Sequence, residues 1–151
     1  MFKWRLLIST FVLFFVFSEA KAGDKEDVLA EMEKLYSAYN SGDVDAMRFN
    51  SHTRYNVEGG LIARPDPSRV KAWMEKSFAA GLELNIRTFH ENVDVFDNAA
   101  VFTCYEEVYI NPPEGEEVND TRRVTVVLVK NKGQWLPVHV HLSYLTPTNP
   151  E

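Results

Sequence analysis

The stretch RRVTVVLVKNKGQWLPVHVHLS, residues 122–143, decides how the second half of the chain folds. Apolar and polar residues alternate through Val124, Val126 and Leu128, the period of a strand with one buried face. Asn131-Lys132-Gly133 interrupts the pattern with turn residues. The alternation resumes through Leu136, Val138, Val140 and Leu142, so the segment reads as an antiparallel hairpin. With Asn131 opening a type I turn and Gly133 taking the left-handed position of a three-residue loop, Lys130 pairs with Gln134. Val124, Val126 and Leu128 then face Val140, Val138 and Leu136. The opposite face carries Val129 with Trp135, Thr125 with His139 and Arg123 with His141. A two-residue Lys132-Gly133 turn shifts this pairing by one residue. Lys-Gly suits a type I′ turn less well than Asn-Gly, and the three-residue reading is preferred.

Upstream, the same period of two extends back to Gly81. Strands are predicted over about 82–95, 99–110, 121–130 and 134–146, divided by Asp97-Asn98, a polar hairpin at 111–120, and the turn at 131–133. Before Gly81 the period is 3.6. Val28, Leu29, Met32, Leu35, Tyr36 and Tyr39 form the apolar stripe of a first helix, which ends at Asn40-Ser41-Gly42. Asp43 caps a predicted short second helix from Val44 to about Phe49. Pro65-Asp66-Pro67-Ser68 starts a third, with Val70, Trp73, Met74, Ser77 and Phe78 as its buried face and Gly81 as its stop. Residues 52–62 leave room for a short strand running into Gly59-Gly60. Three helices followed by an antiparallel meander predict an α+β layer fold. Long strands curling around a helix leave a cone with a cavity at its wide end, where ligand sites favour such a mouth.

The chain start reads differently. A basic Met1–Arg5 precedes an uncharged apolar run of twelve residues, Leu6 to Phe17, and then Ala20-Lys21-Ala22. This is the pattern of a secretory signal peptide, residues 1–22, cleaved after Ala22, and it predicts a secreted or periplasmic protein. Twelve residues reach only about 18 Å as helix, short of the ~30 Å hydrocarbon core. Residues 23–146 then form the domain and 147–151 a tail. Removing Lys3, Arg5, Lys21 and Glu19 leaves 13 basic and 21 acidic residues, a net charge of −8. Such an acidic domain lacks the footprint for nucleic acid or an anionic membrane surface. Cys104 is the only cysteine, so no internal disulfide forms.

Three features resemble a known family: YSAYNSGDVDAM at 36–47, the amphipathic helix ending at Gly81, and the stretch at 122–143. Together they are similar to the SnoaL-like branch of the nuclear transport factor 2-like superfamily. The closing W-x-x-V-H-x-H-x-S also resembles the association domain of calcium/calmodulin-dependent kinase. The resemblance implies a cone-shaped barrel, three helices packed on a curved four-to-six-stranded antiparallel sheet, commonly a homodimer with one apolar pocket per subunit. The kinase domain has a basic residue directly after its second histidine. This chain has Leu142, so a pocket of that acid-binding type is not implied.

His139 and His141 share one strand face, but zinc needs further ligands and no spacing signature supplies them, so no metal is expected. Trp135 and His139 are expected at a subunit interface, where aromatic residues are over-represented. The alternative is that sheet curvature carries His141 and Arg123 to the cavity mouth as acid/base and anion holder. Tyr36, Tyr39, Arg54, Asn56 and Trp73 are the other candidate ligand contacts, and His52 a candidate catalytic group beside Arg54. Glu106 and Glu107 sit mid-strand, and one must point to the apolar side, where burial raises its pKa and suits it to general-base work. No phosphate-binding glycine loop or nucleophile elbow occurs, and no cofactor is expected. The first reading is an exported domain binding a small apolar or aromatic molecule. The alternatives are a cofactor-free isomerase, cyclase or dehydratase, and a homo-oligomeric assembly module.

Overall fold

The computed structural model describes residues 19–48, 54–57 and 65–145. Two helices and five strands follow in the order α1 (Glu19–Ser41), β1 (Arg54–Val57), α2 (Pro67–Ala79), β2 (Glu83–Phe96), β3 (Ala99–Asn111), β4 (Val118–Asn131) and β5 (Gln134–Tyr144). The strands form one sheet ordered β1-β5-β4-β3-β2. β1 runs parallel to β5, and the other four strands are an antiparallel meander. The α+β layer fold is therefore as the sequence implies, with two helices in place of three. The apolar run at 6–17, His52 and the tail at 147–151 lie outside the described residues. α1, described from Glu19, runs through the expected cleavage point.

α1 lies on the sheet through one stripe. Val28 and Met32 are fully buried against Val93, Phe102, Val126 and Leu128, with Leu29, Leu35 and Tyr36 packed around them. Its other tether is Asn40, whose side chain donates to Ile86 O at 2.9 Å and accepts from Ile86 N at 2.7 Å. β2 is the last strand of the sheet, and this double bond satisfies backbone groups that an edge strand otherwise leaves open.

The predicted second helix is a single turn. Ala46 and Met47 N–H groups bond to Asp43 O at 3.1 and 3.2 Å, and Asp43 Oδ1 also accepts from Ala46 N. One turn fixes several residues for one or two bonds, so so short a segment rarely stands as a helix. Here burial of Val44 and Met47 against Ala38 and Met74 holds it. α2 is capped by Asp66, which accepts from Ser68 N at 2.9 Å and Arg69 N at 3.1 Å, with Pro67 at the first helical position. Only Val70, Met74 and Phe78, spaced i, i+4, i+8, pack on the small second core. Trp73 flanks that narrow stripe and is 61% exposed, which corrects its expected place in the pocket.

Gly42 ends α1 at φ +66°, and a Cβ there would meet Phe78 Cδ1 at 3.0 Å. Gly42→Ala combines left-handed strain with a close contact against α2, and we expect it to cost about 1–3 kcal/mol, read as a lower urea midpoint at unchanged slope.

The β4–β5 hairpin departs from the preferred register. Asn131 pairs with Gln134, so the turn has two residues, and Lys132 and Gly133 both take positive φ (50° and 81°), the signature of a type I′ turn. A bulge then inserts Val138 between the Leu128↔Pro137 and Val127↔His139 pairs. Proline has no N–H to give a ladder, and bulges are where interior strands tolerate it. A second bulge at His90-Glu91 bends β2, with His90 at φ 55°. Bulges bend the strand that carries them. Together they curl the sheet around α1.

Candidate functional site

The shifted register decides which side chains enter the cone. On β3, Ala100, Phe102, Cys104, Glu106 and Val108 alternate inward and are buried. A glutamate thus occupies a core position. Glu107 points the other way and pairs with Arg87 on the exposed face. On β4 the inward set is Arg122, Val124, Val126 and Leu128. On β5 it is Trp135, Pro137, Val140 and Leu142. The register aligns Thr88, Glu106, Arg122 and Tyr144 in one row across four strands. A polar row therefore stands directly above rows of valine, leucine and phenylalanine.

Between that row and α1 lies a cavity of about 150 Å³, lined by Met32, Leu35, Tyr36, Tyr39, Glu106, Arg122 and by Val124, Val140 and Leu142, with Arg48 at its side. Tyr36 reaches in from α1 and donates its O–H to Glu106 Oε1 at 2.7 Å, and its oxygen lies 3.6 Å from Cys104 Sγ. Glu106 is only 5% exposed. Burial pushes its carboxyl above the ordinary range, partly offset by the Tyr36 bond and the Arg122 charge. Burial, with the Glu106 charge next, pushes the Tyr36 hydroxyl far up, and burial lifts the Cys104 thiol to about 12. Tyr36 is therefore a proton-bearing donor, and the thiol is inert as a nucleophile at neutral pH. Arg122 is mostly buried. It contacts Asp120 at 3.5 Å, its guanidinium lies 5.2 Å from the Tyr144 ring centroid, and its Nε has no hydrogen-bond partner among the described residues.

Of the residues singled out by sequence, the cavity brings together Tyr36, Tyr39 and Glu106. It does not bring in His141, which is exposed on the outer face of the sheet opposite Thr125, nor Arg123, which is exposed opposite Tyr105 and Ser143. The cation that the sheet brings to the cavity is Arg122, one residue earlier. Strand parity from Val124 was the signal for it. His139 is half-buried on the outer face opposite Val127. Trp135 is 3% exposed and sits in the core of its own subunit, which corrects its expected interface role; the two-residue turn moves it to the inward side. Arg54 and Asn56 are the register partners of His139 and His141 on β1. Among the described residues, no group of three or more His, Cys, Asp or Glu is placed to hold a metal ion.

A curved antiparallel sheet wrapped on one long helix, with a polar group set into its hollow, is the cone of the nuclear transport factor 2-like proteins, and solved structures share it. One is a nuclear transport factor 2-like protein from Streptomyces avermitilis, provisionally named a dehydratase. It is 17% identical, with a TM-score of 0.67 over 83% of this chain and 98% of that one. Another, from Novosphingobium aromaticivorans, is described as having a cystatin-like fold. It is 15% identical, with a TM-score of 0.69 over 93% and 95%. A third, from the same genus and species, is provisionally named an aromatic ring hydroxylase, at 16% identity and a TM-score of 0.70 over 83% and 92%. These likenesses establish the fold. No curated protein matches the sequence. The chain belongs to the SnoaL-like domain family, which matches residues 28–147.

Proposed function

We propose that the chain is an exported SnoaL-like domain whose cone cavity binds a small, largely apolar molecule with one polar group, addressed by Tyr36, Glu106 and Arg122. The observation that carries this reading is a carboxyl group 5% exposed among apolar side chains, held by a tyrosine at 2.7 Å. A polar group is kept in a core only when it is satisfied or used. Export is supported by the apolar run at 6–17, which precedes the family match at 28–147. Self-association is supported by the outer sheet face, where Tyr105 and Val129 are each 37% exposed beside half-buried Val127 and His139. A second copy of that face is the partner it suits.

Thermal-shift titration of the purified protein against small aromatic and alicyclic compounds tests the binding reading. A ligand at about 100 times its Kd stabilises by ~2.7 kcal/mol. Val140→Trp fills the cavity and should abolish the shift. A shift that survives this substitution places the ligand elsewhere.

The catalytic reading is favoured by one further observation, the raised carboxyl of Glu106. A carboxylate so placed removes a proton alpha to a carbonyl whose oxygen Arg122 stabilises. Glu106→Gln would then lower turnover by about 10²–10⁴-fold while leaving ligand binding in place. Equal turnover in the two proteins returns the domain to binding alone.

A further inference from the structure

Two of the charged groups that line the cavity do not meet. Glu106 and Arg122 are register partners on neighbouring strands. Among the described residues no ion pair joins them, and Arg122 turns instead to Asp120 at 3.5 Å and the Tyr144 ring at 5.2 Å. The Asp120 contact is longer than the roughly 2.7–2.9 Å of a strong charge-assisted bond. Arg122 Nε is buried with no acceptor. A guanidinium N–H left so is costly, more than a neutral group in the same place, and an acceptor oxygen belongs there when the site is filled. On the other side, Glu106 takes the Tyr36 hydroxyl on Oε1, and its second oxygen has no partner among the described residues. The gap between the two groups thus asks for a ligand with two oxygens. Neither cation nor carboxyl comes from the position after His141, where Leu142 stands.

We propose that the cavity takes a ring-sized monocarboxylic acid as its carboxylate, one oxygen accepting from Arg122 Nε–H and the other from the O–H of protonated Glu106. This rests on the cavity being the ligand site. An ionised Glu106 repels such a ligand at close range, so binding takes up one proton from solvent wherever free Glu106 is ionised. Burial already tilts Glu106 toward its protonated form. The groups facing it are Tyr36 from α1, Thr88 from β2, Cys104 on its own strand, Arg122 from β4 and, across the cavity, Arg48, which is paired with Glu31 at 2.9 Å. Tyr36 and Cys104 keep their protons through neutral pH, so Glu106 is the group in this set that exchanges one. The ring lies on Val140 and Leu142. A volume of about 150 Å³ is that of a cavity that holds benzene, which favours a single-ring acid such as benzoate.

Calorimetry of the purified protein with benzoate, benzamide and benzyl alcohol, between pH 5 and 8 and in two buffers of different ionisation heat, tests this. Benzoate should bind at least about tenfold tighter than either neutral compound, because the charged bond is the stronger one. It should take up about one proton at the alkaline end, with affinity falling up to about tenfold per pH unit there. Arg122→Gln should lose at least about tenfold for benzoate and much less for benzyl alcohol. Glu106→Gln donates an amide N–H without needing a proton. It should keep benzoate binding while losing both the proton uptake and the pH dependence. Circular dichroism confirms that each variant is folded, and either one alone is sufficient. Benzyl alcohol binding as tightly as benzoate, or Arg122→Gln binding benzoate as the parent does, overturns the carboxylate and leaves the cavity as the ligand site. Binding of none of the three overturns both.

Discussion

Trp135→Ala should lower the unfolding free energy by about 3–5 kcal/mol, the cost of emptying a large buried aromatic site. That is a fifth or more of the roughly 5–15 kcal/mol that holds a domain of this size. The indole is 3% exposed and joins Val28, Ala100 and Leu128 in the main core. Lys130 Nζ lies 5.4 Å from the ring centroid and also pairs with Asp24 at the start of α1. The ring therefore ties the last hairpin to the first helix. Its Nε1–H is buried without a hydrogen-bond partner. Trp135→Phe removes that unsatisfied donor along with some volume, and we expect it to cost less than about 1.5 kcal/mol. Urea unfolding at several protein concentrations separates core from interface. A core tryptophan gives the same loss at every concentration. An interface tryptophan gives a loss that scales with dilution and a weaker self-association, and that outcome would return the hairpin to the three-residue loop.

The same hairpin shows what the sequence made legible and what it hid. Period and turn residues place every long strand of the sheet to within a few residues, and the inward side of β4 follows from Val124, Val126 and Leu128 alone. The face of β5 does not, because it depends on one residue of register. Two features were available to fix it. Gly133 accepts positive φ, and Lys132 is held there because the twist of the flanking strands favours a type I′ turn. Pro137 in an interior strand announces a bulge, since it cannot join the ladder. Reading the turn and the bulge together returns His139 and His141 to the outer face and sends Trp135 and Pro137 inward. The arginine in the cavity was hidden for a different reason. Arg122-Arg123 is a pair of like residues, and in the three-residue register Arg123 stands opposite His141. Trp73 misled through helical spacing. The spacing offers a stripe of four or five positions, whereas among the described residues α2 meets the end of α1 and one turn, a contact three side chains wide. Glu106 against Glu107 was undecidable from the pair alone, but parity from Phe102 and Cys104 names the inward one.

That inward carboxyl gives the stability of the domain an unusual pH dependence. Its native pKa is raised above the unfolded value, first by desolvation. Below the ordinary carboxyl range, about 4.3, both states carry the proton and the contribution of Glu106 is fully present. Above that range the unfolded chain releases the proton and the native one keeps it, so stability falls as pH rises until the native carboxyl has also ionised. Within this window the slope is at most about 1.4 kcal/mol per pH unit, the value for one whole proton. The exposed Asp45 and Asp66 act with opposite sign. Lys71 lowers the one, and the Ser68 hydroxyl with the α2 backbone lowers the other, so their contributions are lost as pH falls. The difference between parent and Glu106→Gln isolates the buried group, since Gln keeps an acceptor for the Tyr36 hydroxyl and does not titrate. We expect the difference curve to be level in acid, to fall through the window in favour of the variant, and to level again above it. Tyr36→Phe removes a bond that favours the ionised form. It should move the upper end of the window to higher pH, so that the descent continues where the parent has flattened. Urea midpoints from pH 4 to 9 measure all three proteins. A difference curve flat throughout would mean that Glu106 reaches solvent in the folded state, and the polar row across the sheet would then be a channel to water rather than the floor of a closed site.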